Sequence, residues 1–296
     1  MTYYSSTFTN LKKTPVHPKN PFNKDYNFEK LIAVHPALKP FVFENEHGNK
    51  TVKFANHEAV KALNTALLKT HYGITYWNIP EDNLCPPIPG RLDYLLHIAE
   101  LIPKIEIHLL DIGTGANLIY PILASRHFNW QCTASEVNQD SLSNAQEIID
   151  KNPDLKDIEL RHQQFKSHIL EHIIQPTDVF DVVVCNPPFF KNRTDAEQSN
   201  RRKFKNLELS EEKTQNFGGL SNELWYKGGE AAFVQKMAEE SLQFKDQVQW
   251  FTAVISQKEN LKNIKRAINK TKPSEVKIVE MEQGNKQSRF IAWTFK

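Results

Sequence analysis

Four consecutive residues, Asn186-Pro187-Pro188-Phe189, are suited to holding a planar ring that carries an exocyclic amine. The Asn186 side-chain oxygen and the Pro187 carbonyl can accept the two N–H bonds of such an amine, and Phe189 offers an aromatic face for stacking. A proline-rich turn beside a core phenylalanine would also explain these residues, because such turns are common. The choice depends on what the rest of the chain places beside them.

A second candidate site is the turn Gly113-Thr114-Gly115, which follows the apolar run 107–112. Glycines allow a ligand to approach the backbone closely. A dinucleotide fingerprint would need a third glycine where Leu118 stands, and the Gly-Lys-Ser/Thr of a phosphate loop does not follow. The turn therefore favours a ligand without a pyrophosphate.

The next predicted strand, 132–137, carries Glu136 near its end, about twenty residues beyond the glycines. A carboxylate at this point of an α/β fold can accept hydrogen bonds from both hydroxyls of a ribose. Together with the glycine turn, Glu136 indicates an adenosine-like ligand. The alternative for Glu136 alone is a solvated acid at a strand end.

Alternating strands and helices must bring these motifs to one edge of a sheet. The predicted strands cover 107–112, 132–137, 158–162, 181–185, 248–255, 276–281 and 290–295, and the helices between them cover 118–128, 140–151, 166–174, 228–244 and 258–268. Repeated strand–helix units predict an α/β, doubly wound, mostly parallel sheet, in which ligands bind beyond the carboxyl ends of the strands. The short turn 282–288 predicts an antiparallel last strand.

Residues 1–90 follow a different pattern from the rest of the chain. Residues 1–24 are polar and basic, without apolar periodicity, and predict a flexible arm. Residues 25–90 predict an N-terminal α-rich cap, with amphipathic helices over 28–38 and 57–68 and a hairpin between them. The main domain then spans 91–296. Its first residue, Arg91, could hold a ligand carboxylate or pair with Asp93.

The segment 191–227 directly follows the candidate site and shows little apolar periodicity. A long irregular stretch at this position predicts an active-site lid. It contains four basic residues suited to RNA phosphates, Arg201, Arg202, Lys203 and Lys205. A solvated charged loop is the alternative.

Composition indicates a folded protein with no strong overall charge. The chain has 296 residues, 40% of them hydrophobic, and a formal net charge of +2, so binding of nucleic acid must rely on local basic patches. The three cysteines lack the paired spacing of a zinc site and predict reduced thiols in a cytoplasmic protein without a metal. No apolar run is long enough for a membrane span.

These motifs together resemble the class I S-adenosylmethionine-dependent amino-methyltransferases. The resemblance rests on residues 111–116, Glu136 and 186–190. Nearly the whole chain is also similar to the ribosomal RNA large subunit methyltransferase F family, through stretches that include 59–64, 85–91 and 228–230. Eukaryotic relatives of that family methylate adenine in a small nuclear RNA.

The resemblance implies a fold, a reaction and partners. The fold would be Rossmann-like, with a seven-stranded sheet and a small helical cap. The reaction would move the methyl group of S-adenosylmethionine to the exocyclic amine of adenine 1618 in 23S ribosomal RNA, leaving S-adenosylhomocysteine. The partner would be 23S ribosomal RNA or a large-subunit assembly particle, and the protein would act as a monomer.

The resemblance also implies roles for individual residues. Arg91 would contact the methionine carboxylate, Glu136 the ribose, and Ser167 would lie near the adenine of the cofactor. The full cofactor set would be Arg91, Asp111, Gly113, Gly115, Glu136, Ser167 and Asn186. The target base would be handled by Asn186, Pro187, Phe189 and Phe190.

Direct displacement is the mechanism that these residues favour. Accepting both N–H bonds of the amine lets its nitrogen become pyramidal, which needs positioning and electrostatics but no covalent intermediate. Strand alternation points Cys185 away from Asn186, which argues against a nucleophilic cysteine. Three alternatives remain: transfer to guanine N2 or to a protein glutamine, a nicotinamide oxidoreductase, which Leu118 disfavours, and a non-catalytic binding module, which the presence of Asn186 disfavours.

Overall fold

The computed structural model describes residues 16–81, 83–192, 194–195, 225–283 and 286–296. Residues 1–15 of the predicted arm and most of the predicted lid lie outside these ranges. The same is true of the four basic residues assigned to RNA, Arg201, Arg202, Lys203 and Lys205.

The N-terminal part of the described chain contains two helices and a hairpin, as predicted. They are α1 (Phe28–Val34), β1 (Val42–Glu44), β2 (Lys50–Val52) and α2 (His57–Tyr72), with β1 and β2 antiparallel. The first helix is shorter than predicted because His35 precedes Pro36, and a residue before proline is disfavoured in helical geometry. A 3-10 helix, Pro36–Phe41, continues the chain.

Seven strands of the described chain form one sheet, flanked by helices. The remaining elements are α3 (Ile88–Leu101), β3 (His108–Ile112), α4 (Ile119–Phe128), β4 (Gln131–Glu136), α5 (Gln139–Asp150), β5 (Glu159–His162), β6 (Phe180–Cys185), α6 (Gly229–Ser241), β7 (Val248–Ile255), α7 (Leu261–Lys270), β8 (Glu275–Gln283) and β9 (Lys286–Thr294). The strand order is β5-β4-β3-β6-β7-β9-β8. Strands β3 to β7 pair in parallel, whereas β9 is antiparallel to both β7 and β8. This arrangement confirms the Rossmann-like sheet with an antiparallel last strand.

The central strand β6 separates two hydrophobic cores, because successive side chains of a strand point to opposite faces. Val182 and Val184 pack with helices α2 to α5 on one face. Val183 and Cys185 pack with helices α6 and α7 on the other. The predicted cap therefore shares one core with the main sheet.

The segment before Arg91 is held in place by polar contacts with α2. The side chain of Asn64 on α2 donates a hydrogen bond to the Pro86 carbonyl at 2.7 Å. Helix α3 begins two residues later, with Pro89 in its first turn, where a missing N–H costs nothing. This fixes Arg91 at the first turn of α3.

The described part of the predicted arm, residues 16–24, is anchored to α3 by two buried residues, His17 and Asn20. The His17 backbone N–H donates to Asp93 Oδ1 at 2.8 Å, and Asn20 Nδ2 donates to the same oxygen at 3.2 Å. Both side chains are 2% exposed. Asp93, buried on α3, needs such partners. The prediction of a flexible arm is wrong for these residues, as is the pairing of Asp93 with Arg91.

The helix predicted over 166–174 is absent, and the chain there forms turns. Glu240 on α6 is buried, and its Oε2 accepts the backbone N–H groups of Ile169, Leu170 and Glu171 at 2.9, 2.7 and 3.1 Å. His172 has a φ of +69°, which a helix does not allow. A partner distant in sequence thus overrides the local helical pattern.

Within the ranges that the structure describes, no helix has the length and apolar character needed to cross a membrane.

Candidate active site

The glycine turn lies at the carboxyl end of β3, between two cavities. Gly113 and Gly115 have φ values of +73° and +63°, in the left-handed region that favours glycine. The Gly113 and Thr114 N–H groups donate to the Ser135 carbonyl on β4 at 3.0 and 2.9 Å. A Cβ atom on Gly113 would meet nothing within 4 Å, because this residue lines both cavities. A ligand can therefore contact the backbone at this turn.

The larger cavity has a volume of about 290 Å³. Its lining is mainly apolar and includes Ile112, Val137, Ile169, Pro188 and Phe233. Polar side chains reach it at Glu136, Gln163, Lys166 and His168. An apolar cleft with a few polar groups at the carboxyl ends of parallel strands is typical of a site for a flat organic ligand.

Glu136 is held rigidly in the wall of the larger cavity. Its Oε2 accepts the Gly115 N–H at 2.9 Å, and its Oε1 accepts the N–H groups of Val137 and Asn138 at 2.8 and 2.9 Å. Glu136 is 4% exposed. The alternative of a solvated acid at a strand end is therefore wrong for this residue.

The smaller cavity, of about 50 Å³, joins Arg91 and Asn186 on the other side of the glycine turn. Arg91 Nη1 donates to the Tyr120 hydroxyl at 2.9 Å, and Arg91 Nε is buried without a hydrogen-bond partner among the described residues. The side-chain amide of Asn186 makes no hydrogen bond within that same part of the chain. Both groups remain available for a ligand in this cavity.

Asp111 lies in β3 and is 1% exposed. Neither of its carboxylate oxygens has a hydrogen-bond partner among the described residues. Burial raises the pKa of Asp111 to about 7; the charge of Glu136 adds to the rise and the charge of Arg91 opposes it. Asp111 lines neither cavity, so the structure does not place it in the predicted cofactor contact.

The Asn-Pro-Pro-Phe turn at the end of β6 contributes to three cavities. Asn186 lines the smaller cavity and Pro188 the larger one. Phe189 and Phe190 line a third cavity, of about 140 Å³, which also contains Glu230. The turn thus stands between the space suited to a cofactor and a separate space suited to a substrate.

Cys185 precedes this turn but faces away from it. It is 1% exposed and belongs to the core beside α6 and α7. Burial raises the pKa of its thiol well above the ordinary value. The structure therefore agrees with the interpretation that Cys185 is not a nucleophile.

Glu230, at the start of α6, is a buried site residue to which the sequence assigned no role. It accepts hydrogen bonds from the Ser256 backbone N–H at 2.7 Å, from the Ser256 hydroxyl and from Asn260 Nδ2 at 3.0 Å. These contacts tie the start of α6 to the end of β7, which fixes one wall of the third cavity. In the sequence, the only signal for Glu230 was its position directly after Gly228 and Gly229.

Ser167 is exposed and does not line the larger cavity, although Lys166 and His168 on either side of it do. The reason is the turn held by Glu240, which replaces the predicted helix. The predicted contact of Ser167 with the adenine of a cofactor is therefore not seen. Gln163, Lys166 and His168 are the polar residues of this segment that line the larger cavity.

Two groups of potential metal ligands occur in the described chain, His17 with His97 and Glu100, and His168 with Glu171 and His172. In the first group, His17 Nδ1 accepts the Lys19 N–H at 3.2 Å. A neutral His17 therefore carries its proton on Nε2, which lies 3.0 Å from Glu100 Oε1, an arrangement that suits contact with the carboxylate better than coordination of a metal. Neither group includes a residue of the Asn-Pro-Pro-Phe turn.

The sheet order, the glycine turn, Glu136 at the end of β4 and the Asn-Pro-Pro-Phe turn at the end of β6 define a class I, Rossmann-like methyltransferase. The model of an RNA methyltransferase family matches residues 10–296. The chain belongs to this family and is an enzyme of that class.

Curated relatives cover almost the full chain. It is 46% identical over 285 residues to ribosomal RNA large subunit methyltransferase F of Christiangramia forsetii, covering 95% of this chain and 100% of that protein. It is 45% identical over 294 residues to the protein of the same name from Pectobacterium carotovorum, covering 96% and 94%.

Solved structures of human METTL16 have the same fold. Its catalytic domain in complex with MAT2A 3′UTR hairpin 1 superposes with a TM-score of 0.82 at 30% identity, covering 96% of both chains. The N-terminal domain of human METTL16 in complex with SAH superposes with a TM-score of 0.76 at 25% identity, covering 95% of this chain and 99% of that one.

Proposed function

We propose that this enzyme transfers the methyl group of S-adenosylmethionine to the exocyclic amine of one adenine in large-subunit ribosomal RNA, at the position numbered 1618 in 23S RNA. The observation that carries the proposal is that Gly113 lines two cavities, one with Glu136 in its wall and one that contains Arg91 and Asn186. The relatives named as ribosomal RNA methyltransferases support the choice of RNA.

The residues around Gly113 fit a cofactor composed of an adenosine and an amino acid. Glu136 would hold the ribose, and the apolar wall of the larger cavity would hold the adenine. The unpartnered Arg91 Nε in the smaller cavity fits a carboxylate, for which a guanidinium is well shaped. Gly113 leaves open space between the two ends. Ser167 has no place in this assignment.

In the proposed mechanism, the enzyme's residues orient and polarise the target amine. S-adenosylmethionine would supply an electrophilic methyl group when bound and leave as S-adenosylhomocysteine, and the methylated amine would release one proton. The Asn186 side-chain oxygen and the Pro187 carbonyl accept the two N–H bonds, which draws the nitrogen lone pair out of conjugation with the ring. Phe189 stacks on the base and Phe190 closes the wall behind it. Asp111 would act through its charge on Arg91 and not by contact.

Three observations weigh against the other candidate functions. Leu118 is buried and occupies the place of a third glycine, which disfavours a nicotinamide cofactor. The side-chain amide of Asn186 has no partner among the described residues and is available to a substrate, which disfavours a non-catalytic binding module. A guanine or a protein glutamine could present a similar amine, and the names of the relatives favour ribosomal RNA over the protein.

The further parts of the proposal concern partners and location. We place the enzyme in the cytoplasm, as a monomer that meets 23S RNA or a large-subunit assembly particle. The segment 191–227 would close over the bound RNA, with Arg201, Arg202, Lys203 and Lys205 on its phosphates.

Titration calorimetry in the presence of a metal chelator tests which cofactor the enzyme binds. We expect binding of S-adenosylmethionine, and stronger binding of a nicotinamide dinucleotide would refute the assignment.

We predict that Glu136→Ala weakens binding of S-adenosylmethionine by about 1 to 3 kcal/mol, because the ribose hydroxyls lose their acceptor. The change also leaves the buried N–H groups of Gly115, Val137 and Asn138 unpaired, so the free energy of unfolding should fall. Calorimetry and urea unfolding measure the two effects. Asp157→Ala, an exposed acid, is the control. Unchanged cofactor affinity in Glu136→Ala would show that Glu136 only organises the backbone.

Tyr120→Phe is predicted to weaken cofactor binding about fivefold to tenfold, because the Tyr120 hydroxyl holds Arg91 in the smaller cavity. Methylthioadenosine, which lacks the amino-acid part, should bind the variant and the parent equally. The measurement is titration of both ligands. An equal loss for both ligands would mean that Tyr120 supports the whole site and does not specifically position Arg91.

A further inference from the structure

Helix α7 carries a concentration of positive charge that the proposed mechanism does not use. Residues 258–272 contain six basic residues and one acid, Glu259, in a chain whose total formal charge is +2. The basic residues are Lys258, Lys262, Lys265, Arg266, Lys270 and Lys272. All six are exposed, and none makes an ion pair with another residue in the part of the chain that the structure describes.

These charges lie on one side of the helix. Lys262, Lys265 and Arg266 are three and four residues apart, which places them on one face. Ile264 and Ile268 lie on the opposite face and are 1% and 0% exposed, because they pack into the core beside β6. With its apolar face already buried, α7 has nothing to insert into a lipid surface, so an amphipathic membrane helix is disfavoured.

The basic face begins at the third cavity. Gln257 and Asn260, just before α7, line that cavity together with Phe189, the residue on which the target base would stack. Asn260 is fixed there by its hydrogen bond to Glu230. The helix then carries its positive charges away from the cavity over about 15 Å, at 1.5 Å per residue.

We propose that this basic face of α7 binds the phosphate backbone of the RNA segment that flanks the target nucleotide. The proposal rests on the proposed function, since the partner is the substrate RNA. Exposed ammonium and guanidinium groups without acidic partners complement a polyanion and release its counterions on binding. Such contacts set the register of the strand relative to the Asn-Pro-Pro-Phe turn, and they carry no sequence information of their own.

The test is the salt dependence of RNA binding by the double variant Lys262→Gln/Lys265→Gln. Each lysine that contacts a phosphate contributes about 0.7 to 0.9 to the slope of log affinity against log salt, so we expect the slope to fall by about 1.4 to 1.8. Affinity should fall roughly tenfold or more at about 0.1 M salt. The probe is a transcript of the large-subunit RNA, and affinity for S-adenosylmethionine should not change.

The matched control is Lys156→Gln/Lys245→Gln, which removes the same charge from two exposed lysines outside α7, one before β5 and one before β7. We expect it to keep the parental slope. A parental slope in the α7 variant, or an equal fall in the control, would overturn the proposal. Methyl transfer by the parent, measured in parallel, separates the two proposals. Failure to methylate this RNA rejects the proposed function, whereas the salt slopes of the α7 variant and the control test only whether α7 binds RNA.

Discussion

Asn186→Ala is expected to lower the rate of methyl transfer to ribosomal RNA by about a hundredfold or more, comparable to the loss of one preorganised transition-state partner. The variant lacks the side-chain acceptor for one N–H bond of the target amine. Asn186 is half-buried and its amide has no partner in the described chain, so the fold should persist. The measurement is the single-turnover rate with saturating cofactor.

Two comparisons separate the role of Asn186 from general damage. Asn49→Ala, at an exposed asparagine in the turn between β1 and β2, should retain the parental rate. Binding of S-adenosylmethionine by Asn186→Ala should change far less than the rate. If Asn186→Ala transfers methyl groups as fast as the parent, the Asn-Pro-Pro-Phe turn is structural and the proposed mechanism is wrong.

In the ligand-free protein, the stability of Asp111→Asn relative to the parent should increase as the pH rises. The folded-state pKa of Asp111 is raised to about 7 by burial, from an ordinary value of 3.8. Between these values the folded state keeps a proton that the unfolded state has lost, so the parent loses stability as the pH rises, and the loss is complete above about pH 7. Asparagine does not titrate, so the variant lacks this loss.

The expected size follows from about 1.36 kcal/mol for each pH unit of the shift. Between about pH 5 and about pH 8, the unfolding free energy of Asp111→Asn minus that of the parent should increase by roughly 3 kcal/mol. Urea unfolding at both pH values measures it, without ligand. The same difference at both values would show that Asp111 ionises normally in the folded protein.

The residues that end strands could be placed from the sequence. Apolar runs fixed the ends of β4 and β6, and the period of two residues in a strand separated Asn186 from Cys185. Glu136 and Asn186 therefore lie where the pattern predicted, in the walls of cavities around Gly113. Local sequence carries this information because the end of a strand and the alternation of its side chains depend on residues that are close together in the chain.

The residues that sequence misplaced depend on partners far along the chain. The turn at 166–174 depends on Glu240, about seventy residues later, and the burial of His17 and Asn20 depends on Asp93. A local helical or polar pattern cannot show such a partner. Ser167 was misplaced for this reason, and Glu230 received no role because its contacts with Ser256 and Asn260 are also tertiary.

The most direct test of the proposed function is to follow an isotopically labelled methyl group from S-adenosylmethionine into RNA. The substrate is 23S ribosomal RNA from a strain lacking the corresponding methyltransferase gene, and the product is digested to nucleosides for mass spectrometry. We predict that the label appears in N6-methyladenosine and maps to a single adenine. Label in methylguanosine, label in protein glutamine, or no label in the RNA or its assembly particle would contradict the proposal.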